Sequence, residues 1–244
     1  MSDERASTRG RRGERVRLFV ALVLPSQAID ELIGWRAEAT RGFSGLRLLD
    51  PEQLHVTLCF LGWQPLEARD SIADVCRAVA SAGSVSELVL GQPLWLPPRR
   101  PRVLAVELED PGEGLAKLQS ELSLRLEAGG WYAPERRKYM PHVTVARVRR
   151  GAKGSGGFLA GTGAGPRGAP GLGGRASKRG APGSGARASS RGTPGLETRA
   201  STRGAPGLPN PPALSFPAAA VTLFRSRLSP AGAQYEALAS VHLE

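Results

Sequence analysis

Two of the chain's three histidines, His55 and His142, sit inside one short repeated pattern, Leu54-His55-Val56-Thr57-Leu58 and Pro141-His142-Val143-Thr144-Val145. In an extended strand side chains alternate faces. Each histidine therefore shares a face with the threonine two residues on, and the aliphatic neighbours point the other way. Imidazole titrates near neutrality, so one of two opposed histidines can accept a proton while the other donates one. Hydroxyls beside them suit the nonbridging oxygens of a phosphoryl group. The set fits in-line displacement at phosphorus, one imidazole activating the attacking water or hydroxyl and the other protonating the departing oxygen. Two histidines without a carboxylate or thiolate cluster make a poor metal site, so no metal and no cofactor is expected. One histidine in an apolar strand is more often a satisfied core residue; the duplication carries the functional reading.

The elements that must position these residues follow from periodicity. Leu18–Leu24 reads as a buried strand, and Pro25-Ser26 opens a helix over about 27–40 with Ile29, Leu32 and Ile33 at helical spacing. A strand carrying His55 is bounded by Gly62. A helix over 66–82 follows, then strands near 86–94 and 102–109. A helix over 114–128 stops at Gly129-Gly130. The His142 strand, a strand near 218–226 and a short terminal helix over 234–241 complete the expectation. Strands and helices without regular βαβ alternation or a glycine-rich phosphate loop argue for an α+β fold. The two halves repeat strand, helix and histidine-bearing strand, which predicts two pseudo-symmetric lobes of antiparallel sheet with a cleft between them.

Charge and composition separate this domain from its appendages. The net charge is +11, but residues 151–212 carry nine Lys/Arg against one Glu, and residues 1–17 carry six Arg against three acids. The remainder is neutral. Residues 1–16 read as a frayed basic tail, and residues 17–150 with 213–244 as one domain, large enough at roughly 165 residues for a full core. Residues 151–212 hold 18 of the 31 glycines and eight prolines, with a 12-residue repeat at 176–183, 188–195 and 200–207. Such a stretch cannot offset its ordering entropy by burial and reads as a disordered insertion, either a basic tether for RNA phosphates or a tolerated expansion. Cys59 and Cys76 read as reduced and structural. Arg11-Arg12 ahead of an apolar run resembles an export signal, but Pro25 ends the run early, and no stretch reaches transmembrane length. A cytoplasmic monomer without membrane contact is expected.

The histidine patterns and their flanks resemble a known family, the 2H phosphoesterases, and within it the RNA 2′,3′-cyclic phosphodiesterases once described as 2′-5′ RNA ligases. The likeness runs through Arg17–Leu22, Pro51–Gly62, Pro101–Leu104, Arg136–Arg147 and Leu223–Tyr235. It implies hydrolysis of a 2′,3′-cyclic phosphate on RNA or a nucleotide to a 2′-phosphate, with His55 as proton donor to the 3′ oxygen and His142 as the base on water. Thr57 and Thr144 would hold the phosphate. Arg147 would balance charge on the phosphorane, although strict alternation puts it on the face opposite His142 unless the strand bulges. Phe60, with the same parity problem, would stack on a base, and Tyr139 would line the cleft or shape the turn before Pro141. Phe19 reads as core and His242 as incidental. Reversible 2′-5′ ligation uses the same two histidines, and a catalytically silent RNA-binding module is the reading from another class.

Overall fold

The computed structural model describes residues 13–149, 205, 207–229 and 232–243. Its elements are β1 (Arg15–Val23), α1 (Ser26–Ala39), β2 (Leu46–Leu48), β3 (His55–Pro65), α2 (Arg69–Ala82), β4 (Leu88–Leu96), β5 (Val103–Glu109), α3 (Gly114–Ala128), β6 (His142–Val148), β7 (Ser215–Phe216), β8 (Ala220–Ser229) and β9 (Gly232–His242). All strands pair antiparallel in the order β7-β4-β5-β6-β3-β1-β8-β9, with β2 also on β6.

The two lobes are the groups β3-β1-β8-β9 and β6-β5-β4-β7 with β2. They join at a single ladder pair, Val56 with Val143. Each lobe repeats the same unit. β1 leads through α1 to β3, which pairs back on it, and β5 leads through α3 to β6, which pairs back on it. The helices are exchanged between lobes: α3 packs on β3 and α1 on β6. In α3, Leu115, Leu118, Leu122 and Leu126 form a fully buried i, i+3, i+7, i+11 stripe. At about 2 kcal/mol for each buried leucine, that stripe fixes the helix against the sheet. The helices cover the face to which Val56, Leu58, Val143 and Val145 point, leaving the histidine face uncovered.

Three expectations are corrected. Residues 234–241 are not a helix but most of β9, paired along its length with β8 and tied by the Thr222 and Ser240 hydroxyls at 2.7 Å. Helix propensity in Gln-Tyr-Glu-Ala-Leu-Ala is outweighed by the ladder that β8 offers. The first strand begins at Arg15, which pairs with Pro65, and Glu14 O ahead of it accepts Leu66 N–H, so the packed domain includes residues assigned to the expected tail; residues 1–12 of that tail lie outside the described residues. The end of the glycine-rich segment is also packed: Ala205 is buried with its N–H on Pro93 O, and Pro209 O accepts the Trp35 indole N–H at 3.1 Å. Residues 151–204 and 206 of the expected insertion lie outside the described residues. Cys59 and Cys76 are both buried and free, and burial pushes both thiols up to about 12. No helix among the described residues is long and apolar enough to cross a membrane.

Candidate active site

The single bridge between the lobes builds the site. With Val56 opposite Val143, the register continued one step sets His55 against Thr144 and Thr57 against His142, all four on the uncovered face. Each imidazole is oriented in the same way. His55 Nδ1 lies 2.8 Å from Gln53 O, and His142 Nδ1 lies 2.8 Å from Met140 O. A carbonyl only accepts, so Nδ1 carries hydrogen in both rings and Nε2 is the nitrogen left to exchange protons. A cleft of about 410 Å³ opens over both pairs.

Matching bulges then recruit residues that alternation would have turned away. On β3, Cys59 pairs with Val20 but Thr57 pairs with Ala21, so Leu58 is an extra residue; on β6, Ala146 pairs with Leu104 but Thr144 with Ala105, so Val145 is extra. Both extra residues lie three positions past a histidine. Beyond each bulge the parity reverses, which brings Phe60 and Arg147 onto the cleft wall. The exchanged helices reach these same points. Gln119 of α3 donates to Leu58 O at 3.4 Å, and buried Arg36 of α1 donates to Val145 O at 3.4 Å and to Leu49 O at 2.5 Å.

Several wall residues were not visible in the sequence. Arg17 and Arg47 add two guanidinium groups to that of Arg147, and β2 sets Arg47 directly opposite Arg147. Gly232, at φ 139°, leaves room for Arg47; a Cβ there would come within 2.8 Å of its Nη1. Tyr235 of β9 lies edge-on to His55 at 5.3 Å, a contact hidden by reading its segment as helix. Phe19 is core, 3 % exposed, yet it also walls the cleft with its ring 5.1 Å from His55. Tyr139 does not reach the cleft. It packs on the core and its hydroxyl donates to Thr57 O at 3.4 Å, behind the strand. His242 pairs with Ala220 at the far end of β9.

The aromatic wall makes the first imidazole unusual. Burial pushes His55 down to about 4, helped by the charges of Arg147 and His142 and opposed by the Gln53 carbonyl. In the free protein at neutral pH its Nε2 is therefore an acceptor. A negative charge brought beside the ring would raise it.

A family model described as the 2′-5′ RNA ligase superfamily matches residues 24–153, which include both histidine strands. The chain belongs to that superfamily. An RNA 2′,3′-cyclic phosphodiesterase of Escherichia coli K12 is 30 % identical over 135 residues, covering 55 % of this chain and 73 % of that protein. A protein of the same name from Thermus thermophilus is 29 % identical over 142 residues, 54 % and 68 % of the two chains. In fold, the chain is similar to the Thermus thermophilus protein TT0787 (TM-score 0.64, 23 % identity, 93 % and 97 % covered). It is also similar to Escherichia coli LigT complexed with 3′-AMP (TM-score 0.61, 20 % identity, 94 % and 99 % covered). Like its superfamily relatives, the chain is a phosphoesterase. Among the described residues no group of three or more His, Cys, Asp or Glu side chains is placed to hold a metal ion.

Proposed function

We propose that this protein hydrolyses 2′,3′-cyclic phosphate ends of RNA, or the corresponding nucleotides, to 2′-phosphates. The observation that carries the reading is the facing of two Nδ1-anchored imidazoles across one cleft, each beside the other's threonine. His142 Nε2 takes a proton from water as its oxygen bonds to phosphorus. The bond from phosphorus to the 3′ oxygen breaks, and His55 Nε2–H gives that oxygen its proton. Thr57 and Thr144 hold the nonbridging oxygens, and Arg147 faces the charge that grows on the phosphorane. The ring of Phe60 takes the terminal base. Proton exchange with solvent resets the pair. Both proton transfers are supplied by the histidines, so the reaction needs no metal.

His55 must be protonated to serve as donor, and the substrate's own negative charge favours that form once bound. Its low value in the free protein supports a second reading, in which His55 is the base and His142 the acid. Phosphorus NMR of a 2′,3′-cyclic nucleotide with excess EDTA tests the proposal, beside a His55→Ala/His142→Ala double variant. We expect a 2′-phosphate from the wild type alone. A 3′-phosphate would reverse the leaving group, and no turnover in water would direct attention to ligation or to RNA binding without chemistry.

A further inference from the structure

Trp63 is 57 % exposed on β3, and Phe60 on the same strand is 45 % exposed. A single exposed ring calls for no explanation. These two, however, share a face against their sequence parity. Phe60 pairs with Phe19 and Trp63 with Arg17, because Leu61 is an extra residue and Gly62 turns through φ +68°. Directly opposed residues of an antiparallel pair point to the same side, so Trp63 joins Arg17 and Phe60 on the cleft side of the sheet. Without the second bulge it would share the helix-covered side with Leu61 and Cys59. They sit opposite β1 positions two residues apart, a backbone spacing of about 7 Å.

Positive charge lies beside them. The Arg17 guanidinium sits 4.7 Å over the Phe60 ring with Nη1 3.5 Å from Ser226 Oγ, and Arg15 Nη2 donates to Trp63 O at 2.5 Å. Among the described residues neither arginine pairs with a carboxylate. Two exposed rings on one side of β3, with guanidinium groups on the neighbouring strand, suit a chain of planar bases linked by phosphates. Direction follows from the chemistry. A 2′,3′-cyclic phosphate is necessarily the 3′ end of its strand, so whatever extends outward from His55 past Phe60 is the nucleotide on its 5′ side.

We infer that Trp63 is a stacking platform for the penultimate nucleotide of single-stranded RNA, with Arg17 at the phosphodiester that joins it to the terminal one. This rests on the proposed function and deepens it: the preferred substrate is an oligonucleotide end rather than a cyclic mononucleotide.

The test compares kcat/KM for a 2′,3′-cyclic mononucleotide and for a trinucleotide ending in the same group, in wild type, Trp63→Ala and Trp63→Phe. A direct titration with the trinucleotide 2′-phosphate product accompanies it. We expect the wild type to favour the trinucleotide by about tenfold, the size of one base–aromatic stack. Trp63→Ala should lose that preference with cyclic mononucleotide turnover unchanged, and Trp63→Phe should keep most of it. Equal wild-type rates on both substrates, or a preference intact in Trp63→Ala, would overturn the inference. Product binding that weakens only in Trp63→Ala, without turnover of either substrate, would uphold the platform and refute the hydrolase. Loss of self-association in Trp63→Ala with RNA binding intact would assign the ring to contact between copies instead.

Discussion

The two histidine strands have almost the same sequence, the same anchor on Nδ1 and the same bulge three residues on, yet their surroundings differ. His55 is pressed among Phe19, Phe224 and Tyr235, supplied by β1, β8 and β9, the other three strands of its lobe. His142 has no ring stacked on it among the described residues. Its strand instead aligns Arg147 with Arg47 of β2. Symmetry of the motif thus builds the pair, and its neighbours distinguish the two members: aromatic rings surround His55, whereas the strand of His142 carries a guanidinium group aligned with a second one on β2. In the reaction proposed above, that difference would make His55 depend on the substrate's charge for its proton.

The largest effect expected is the loss of either histidine. His55→Ala and His142→Ala should each lower kcat by about 10³-fold, and the double variant should fall little further, because the two act in one concerted step. Steady-state rates on a cyclic nucleotide would show this. Multiplicative losses would mean that the two rings work independently and break the pairing.

Stability should register the unequal burial next. His55 binds a proton near 6.5 when unfolded but only at about 4 when folded, so the unfolded chain holds more protons between those values. Its contribution is complete above 6.5 and is lost as pH falls to about 4, roughly 3 kcal/mol in all. Urea midpoints measured from pH 7 to 4 should therefore decline in wild type and decline less in His55→Gln. Parallel curves would show that the aromatic wall does not desolvate the ring.

Arg147→Gln should cost about 10²-fold in kcat with a smaller change in KM, as expected of a cation that meets charge mainly in the transition state. An increase in KM alone would place the guanidinium on the ground-state phosphate. Either result sharpens the contrast between the aromatic surroundings of His55 and the cationic strand of His142.

Much of this arrangement is legible from the chain, and the remainder fails for identifiable reasons. The period-two pattern of His-x-Thr gives both strands and the shared face, since only backbone geometry is needed. The stripe Leu115, Leu118, Leu122 and Leu126 gives α3 to the residue. What alternation cannot give is a bulge. Leu58, Leu61 and Val145 look like any other strand residue, so Phe60, Trp63 and Arg147 have the wrong parity on paper. Tyr235 is hidden because its segment has helical propensity and becomes a strand only through β8. Trp35 holds Pro209 across a sequence gap of 174 residues, a contact that no local composition announces.

The division of labour itself is tested most directly by a 2′,3′-cyclic nucleotide whose 3′ bridging oxygen is replaced by sulfur. A thiolate leaves without help from an acid, because a thiol ionises near 8.5. With His55 as donor, His55→Ala should recover most of its lost rate on this substrate while His142→Ala recovers none. Recovery by His142→Ala, with His55→Ala still inactive, would contradict the assignment and make the buried imidazole the base.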